Sequence, residues 1–113
     1  MYKCGIHSIV HVTAPSIEFA KSLARGLITK DLAACVNLIP NVTSIYKWKG
    51  EVIEDSEILM VIKTRTSRIE DLTSYVESQH PYEVCEVIST KIENGNNSYM
   101  KFISESVPEA SGN

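Results

Sequence analysis

No stretch of this 113-residue chain approaches the ~20 consecutive apolar residues that a membrane-spanning helix requires. The opening Met1-Tyr2-Lys3-Cys4-Gly5-Ile6-His7 lacks the long apolar run of a secretory signal, so a soluble, cytoplasmic protein is expected. Cysteine is scarce. Cys4, Cys35 and Cys85 are odd in number and nowhere spaced Cys-x-x-Cys, which argues against a disulfide scaffold or a zinc finger and points to free thiols in a reducing compartment. Positive charge is not in excess: the formal net charge is −3, with Lys and Arg scattered, which speaks against a surface built to grip nucleic acid or an anionic membrane. Also missing are a Gly-x-Gly-x-x-Gly fingerprint, a phosphate-cradling Gly-Lys-Ser/Thr loop and a Gly-x-Ser-x-Gly elbow. With no matched nucleophile, base and orienting partner, a non-enzymatic protein is expected.

The chain does have two long β-rich arms around a Lys49-Gly50 turn, running from Ala34 to Trp48 and back through Ile53 to Thr64. Residues 34 to 47, if extended, reach roughly 45 Å at about 3.3 Å per residue. A compact domain of this size is only ~35 Å across, with a radius of gyration near 13 Å. The tip with Tyr46 and Trp48 should therefore project, and a projecting aromatic edge calls for another chain to cover it. At the turn, Gly50 accepts a positive φ more readily than Lys49, which favours a type II turn or a bulged loop over type I′. Pro40 is expected to bend or bulge the outgoing arm.

Around this hairpin, residues 6 to 13 are β-branched and read as a strand. Pro15 opens a helix to about Lys30, with the pairs Phe19/Ala20, Leu23/Ala24 and Leu27/Ile28 making one buried stripe. Ser67 with Glu70 gives a capping-box signature for a second helix that ends before Pro81. Val84 to Ile92 reads as the fourth strand, and a turn at 93–97 caps a short C-terminal helix with Tyr99, Phe102 and Ile103. The order is an α+β, ferredoxin-like βαββαβ fold with an antiparallel sheet, in one domain over residues 1–107 followed by a flexible tail at 108–113. RNA binders of this fold stack bases on aromatic residues of a central strand. Here that strand is Ile58-Leu59-Met60-Val61-Ile62.

The densest reactive cluster is His80-Pro81-Tyr82-Glu83-Val84-Cys85-Glu86. Nitrogen and sulfur donors suit copper, making His80 and Cys85 metal candidates with Glu83 or Glu86 as oxygen donors. The competing reading is that His80 and Pro81 end the helix while the glutamates form local ion pairs. An extended chain holds His80 roughly 16 Å from Cys85, so shared ligation needs a sharp bend. His7 and His11, ~13 Å apart on one strand face, are too far apart to share an ion. Cys35 reads as core. Tyr46 and Trp48 share one strand face and suit the core, an interface or the wall of a ligand cleft, the tip of a hairpin favouring the interface, and Glu51, Glu54, Asp55 and Glu57 read as a solvated acidic arm.

The motifs Val12-Thr13-Ala14-Pro15, Leu32-Ala33-Ala34-Cys35-Val36-Asn37, Thr43-Ser44-Ile45-Tyr46-Lys47-Trp48-Lys49-Gly50-Glu51, Lys63-Thr64 and His80-Pro81-Tyr82-Glu83 together resemble the CutA family of divalent-cation tolerance proteins. The likeness spans nearly the whole chain in order. It implies a tight homotrimer whose long hairpins extend intersubunit sheets, an architecture akin to the PII signalling proteins, and a role in divalent metal tolerance with copper(II) as a ligand. His80 is the one residue that matches the family's ligand set, Val12 and Gln79 standing where a thiol and a second imidazole occur, and Cys85 replaces a proline. A PII-like trimer binding a small molecule between subunits near Tyr46, Trp48, Lys63 and Glu86 is the alternative, and a structural scaffold is a third reading.

Overall fold

The elements β1 (His7–Ala14), α1 (Ile17–Thr29), β2 (Cys35–Trp48), β3 (Glu51–Arg65), α2 (Ile69–Gln79), β4 (Val87–Lys91) and α3 (Asn97–Ser106) follow one another in a computed structural model that describes residues 3–110. The strands form one antiparallel sheet in the order β2-β3-β1-β4, the ferredoxin-like α+β arrangement. Alternation along β1 and β3 explains the layering. Val10, Val12 and Ala14 share a face with Ile58, Met60 and Ile62, and this face packs on Ala20, Leu23 and Leu27 of α1 and Leu72 and Val76 of α2 in a single core. Each fully buried Leu, Ile or Met contributes about 1.5–3 kcal/mol.

The hairpin outgrows its domain. Its strands have 14 and 15 residues, and they stretch the molecule to 48 × 29 × 23 Å with a radius of gyration of 14.9 Å, above the ~13 Å of a compact chain this long. β1 stops opposite Ile58, so Glu51 to Glu57 pairs with β2 alone. The arm bulges after Pro40, where the register shifts between Ile39 and Val42 and Asn41 takes φ 62°.

Four local expectations need correcting. Lys49 and Gly50 are a two-residue turn with φ 51° and 84°, which is the type I′ sign pattern. The twist of two long strands selects that turn and outweighs the left-handed strain at Lys49. The cap of α1 is Ser16, whose Oγ accepts from the Phe19 N–H at 3.1 Å, so Pro15 lies outside the helix. Ser67 does not cap α2, because it sits in a 3₁₀ turn, Thr66–Arg68, that precedes the helix. The fourth strand is confined to Val87–Lys91, since residues 82–84 form a bend.

The remaining helix, α3, lies over the other sheet face, where His7 and Arg65 are paired across β1 and β3. Arg65 donates to the carbonyls of Val107 (2.7 Å) and Ser104 (2.9 Å) and pairs with Glu109 at 3.6 Å, while Arg68 donates to Pro108 O at 2.8 Å. Two residues of the segment expected as a tail are held this way, and its last three, 111–113, lie outside the described residues.

Buried His7 shares a 2.7 Å hydrogen bond between Nε2 and Ser104 Oγ. Burial, then the charge of Arg65, lower its pKa below the ordinary 6.5. Unfolded chains therefore bind the proton more readily than folded ones. The stabilisation is fully present above about pH 6.5 and falls as pH drops from there through the depressed folded value. Urea midpoints taken between pH 7.5 and 5 should fall toward acid in the native chain. His7→Gln should flatten that part of the profile, and an unchanged slope would remove His7 as its source.

Candidate functional site

Past the end of β1, the chain segment 81–86 runs beside the half of β3 that β1 leaves unpaired, and the space between them is a cleft. One lobe, of about 440 Å³, is lined by Tyr46, Trp48, Pro81, Tyr82, Glu83 and Val84. A second, of about 410 Å³, shares Tyr46, Tyr82 and Val84 and adds Thr13, Ser44, Ile45, Glu57 and Glu86. The β2–β3 register puts Tyr46 opposite Ile53 and Val42 opposite Glu57, so Val42, Ser44, Tyr46 and Trp48 alternate onto one side of the arm together with Glu57 and Asp55.

His80 holds the segment in place. Pro81 forces His80 into an extended conformation (φ −78°, ψ 135°) at the end of α2, which turns its ring back toward β1. Nε2 lies 2.7 Å from the Thr13 carbonyl oxygen and Nδ1 lies 3.2 Å from the Tyr82 amide nitrogen. A carbonyl only accepts and an amide N–H only donates, so the ring carries its hydrogen on Nε2 and both nitrogens are engaged. The ring also meets Phe19 edge-on at 5.2 Å and Tyr82 at 4.6 Å. Tyr82, fixed in this way, donates its hydroxyl to Glu57 Oε2 at 2.9 Å. Burial, then the bond to Glu57 and nearby acidic charge, push the Tyr82 phenol far above its ordinary 10.0. Tyr46 likewise donates to Asp55, and that bond is the main reason its pKa is raised.

The residues singled out from the sequence divide into two groups. Tyr46, Trp48, Glu83 and Glu86 line the cleft. Lys63 lies outside it: its register partners are Ile9 and Cys35, at the opposite end of β3, and its ammonium donates to Asn37. The separation follows from the length of the arm, along which Lys63 and Trp48 sit at opposite ends. Cys85 packs against the core rather than the cleft, and burial followed by the charge of Glu77 raises its pKa and favours the thiol. Among the described residues no three His, Cys, Asp or Glu side chains stand close enough to hold a metal ion. With both His80 nitrogens engaged and Cys85 packed against the core, the donors of this chain alone do not fit a copper ion.

Glu57 is the residue that pattern reading misplaced. Sequence pattern groups it with the solvated acidic arm, yet it is 7% exposed and bonded to Tyr82. The available signal was its position immediately before the apolar run 58–62, where the arm enters the core.

Residues 8–106 match the family described as CutA1 divalent ion tolerance protein. "Protein CutA homolog" of Xenopus laevis is 56% identical over 108 residues, covering 96% of this chain and 72% of that protein. "Protein CutA" of Homo sapiens is 52% identical over 102 residues, covering 90% of this chain but 57% of the human protein, so the chain spans little more than half of that relative. The crystal structure of CutA1 from Oryza sativa superposes with a TM-score of 0.90 at 42% identity, covering 92% of this chain and 95% of the rice chain.

Proposed function

The chain belongs to the CutA1 divalent ion tolerance family, and from that premise we propose that it serves divalent-ion tolerance in the cytoplasm as a non-enzymatic homotrimer assembled through the β2–β3 hairpin. The projecting arm carries this reading. It leaves Ile45 65%, Val52 72%, Tyr46 42% and Trp48 39% exposed, on strands whose outer edges have no partner among the described residues. Apolar side chains on an open edge are an aggregation hazard unless other copies cover them. Copper(II) is the first cation to test, and ligation by His80, Cys85 or Glu83 is to be sought in the assembly, because one subunit supplies no adequate donor set.

The expected result is a trimer mass by light scattering at micromolar chain concentration, with a saturable calorimetric response to copper(II) that Ile45→Lys in the arm abolishes by dissociating the trimer. A monomer would sink the assembly. A trimer without copper heat would sink the copper reading alone.

The cleft supports a second reading, PII-like binding of a small molecule. Its volume falls within the ~300–1,000 Å³ of small-molecule sites, and three aromatic rings line it.

A further inference from the structure

We propose that the end of the sheet opposite the hairpin turn carries a site for a small oxyanion, with Arg65 as its anchor and Glu109 as a built-in competitor. A cavity of about 310 Å³ lies there, lined by Gly5, Ile6, Arg65, Thr66, Ser67 and Glu109. None of these residues belongs to the projecting stretch 51–57 or to the part of β2 paired with it, so a trimer built through the arm does not draw on them.

The hydrogen bonds of Arg65 leave one side of its guanidinium uncommitted. Nε donates to the Val107 carbonyl at 2.7 Å and Nη2 to the Ser104 carbonyl at 2.9 Å. A guanidinium has five N–H donors, so three remain, two on Nη1 and one on Nη2. They make up a second fork, the geometry that takes two oxygens of a carboxylate or a phosphate. The side chain is only 14% exposed, and the carbonyls that fix it are neutral, so they orient its charge without cancelling it.

The one acidic partner of Arg65 among the described residues is Glu109. Its Oε1 stands 3.6 Å from Nη1, beyond the roughly 2.7–2.9 Å of a charge-assisted hydrogen bond, and its side chain is 74% exposed. A carboxylate thus already faces the fork without docking into it, and exposed ion pairs of this kind are weak enough for a free anion to displace. Ser67 adds a donor. Its residue is exposed and its hydroxyl has no hydrogen-bond partner among the described residues, whereas the Thr66 hydroxyl is tied to Ser8 at 2.7 Å.

Inorganic phosphate, titrated into the full chain at pH 7.5 and constant ionic strength, should bind saturably by calorimetry. Acetate should compete for the same site, and the tighter of the two identifies the group that a natural ligand carries. Glu109→Gln should tighten phosphate about two- to fivefold, the range that the weakness of an exposed ion pair allows. Glu105→Gln, which removes another exposed acid from α3, should leave the affinity unchanged. Ser67→Ala should weaken phosphate a few-fold, and Arg65→Lys, which keeps the charge and loses the fork, roughly tenfold. Arg65→Lys also removes bonds that hold α3, so the gain in Glu109→Gln decides, because a damaged fold cannot produce it. No saturable binding of either anion, a Glu109→Gln chain that binds phosphate no tighter than the native one, or an equal gain in Glu105→Gln would overturn the proposal.

Discussion

Replacing His80 with alanine is expected to cost about 2–3 kcal/mol of stability, because two backbone groups lose their partner and each orphaned group costs roughly 1–3 kcal/mol when shielded from water. Those groups are the Thr13 carbonyl and the Tyr82 amide. The ring contacts with Phe19 and Tyr82 go as well. Tyr82→Phe removes only the hydroxyl on Glu57 and should cost about 1–2 kcal/mol. Since His80 positions Tyr82, the double substitution should cost less than the sum of the singles by at least ~0.5 kcal/mol. Urea midpoints at one fixed chain concentration measure all three, the fixed concentration being necessary if folding and assembly are linked. The same series distinguishes a strut from a ligand. A His80→Ala chain of native stability that has lost copper binding would return the imidazole to the metal and dismiss the structural role given to it here.

Of the two readings of His80, the one that ends the helix matches its place as the C-cap of α2, and the surroundings show what sequence pattern can and cannot reach. The order of elements was legible because it depends on periodicity: Val10 and Val12 alternate, and Ala20, Leu23 and Leu27 recur at helical spacing. The excess length of the arm follows from counting residues, and the molecule measures 48 Å along its longest axis. His80, Cys85 and Glu83 were adjacent in sequence and carried the right donor atoms, but where each side chain points depends on partners tens of residues away. Thr13 claims the imidazole, the core claims Cys85, and only Glu83 reaches the cleft. Lys63 lies at the far end of the arm from Trp48, so a single chain does not bring the two together. Glu57 looked like one more surface acid because its neighbours Glu51 and Glu54 are exposed, and its burial depends on Tyr82 arriving from the far side of α2. Local pattern gives the face of a strand, whereas a site made by a returning loop is a long-range fact.

Gly26 poses the sharpest conflict between local and long-range rules. Helix propensity alone says that Gly26→Ala, in the interior of α1, should stabilise the protein by about 1 kcal/mol. The structure predicts the opposite sign. A Cβ built on Gly26 would lie 2.0 Å from the Tyr75 hydroxyl oxygen, 2.9 Å from Cζ and 3.2 Å from Cε2, so the whole ring edge has to move. Tyr75 comes from α2, packs against the core, and carries the Lys30 ammonium 5.7 Å above its ring, leaving it little room to yield. Overpacking of this kind costs typically 1–3 kcal/mol and more when the intruded side chain is a stiff ring, so the net change should be a loss of about 1–2 kcal/mol. Removing the obstacle should restore the propensity rule. In a Tyr75→Ala background, Gly26→Ala should become stabilising by about 1 kcal/mol, with Tyr75→Phe in between because Cζ remains too close. Thermal or urea denaturation of the four chains of this cycle measures the sign directly. If alanine at 26 stabilises with Tyr75 present, the contact between α1 and α2 is looser than its geometry implies, and glycine there is incidental to the packing of the two helices.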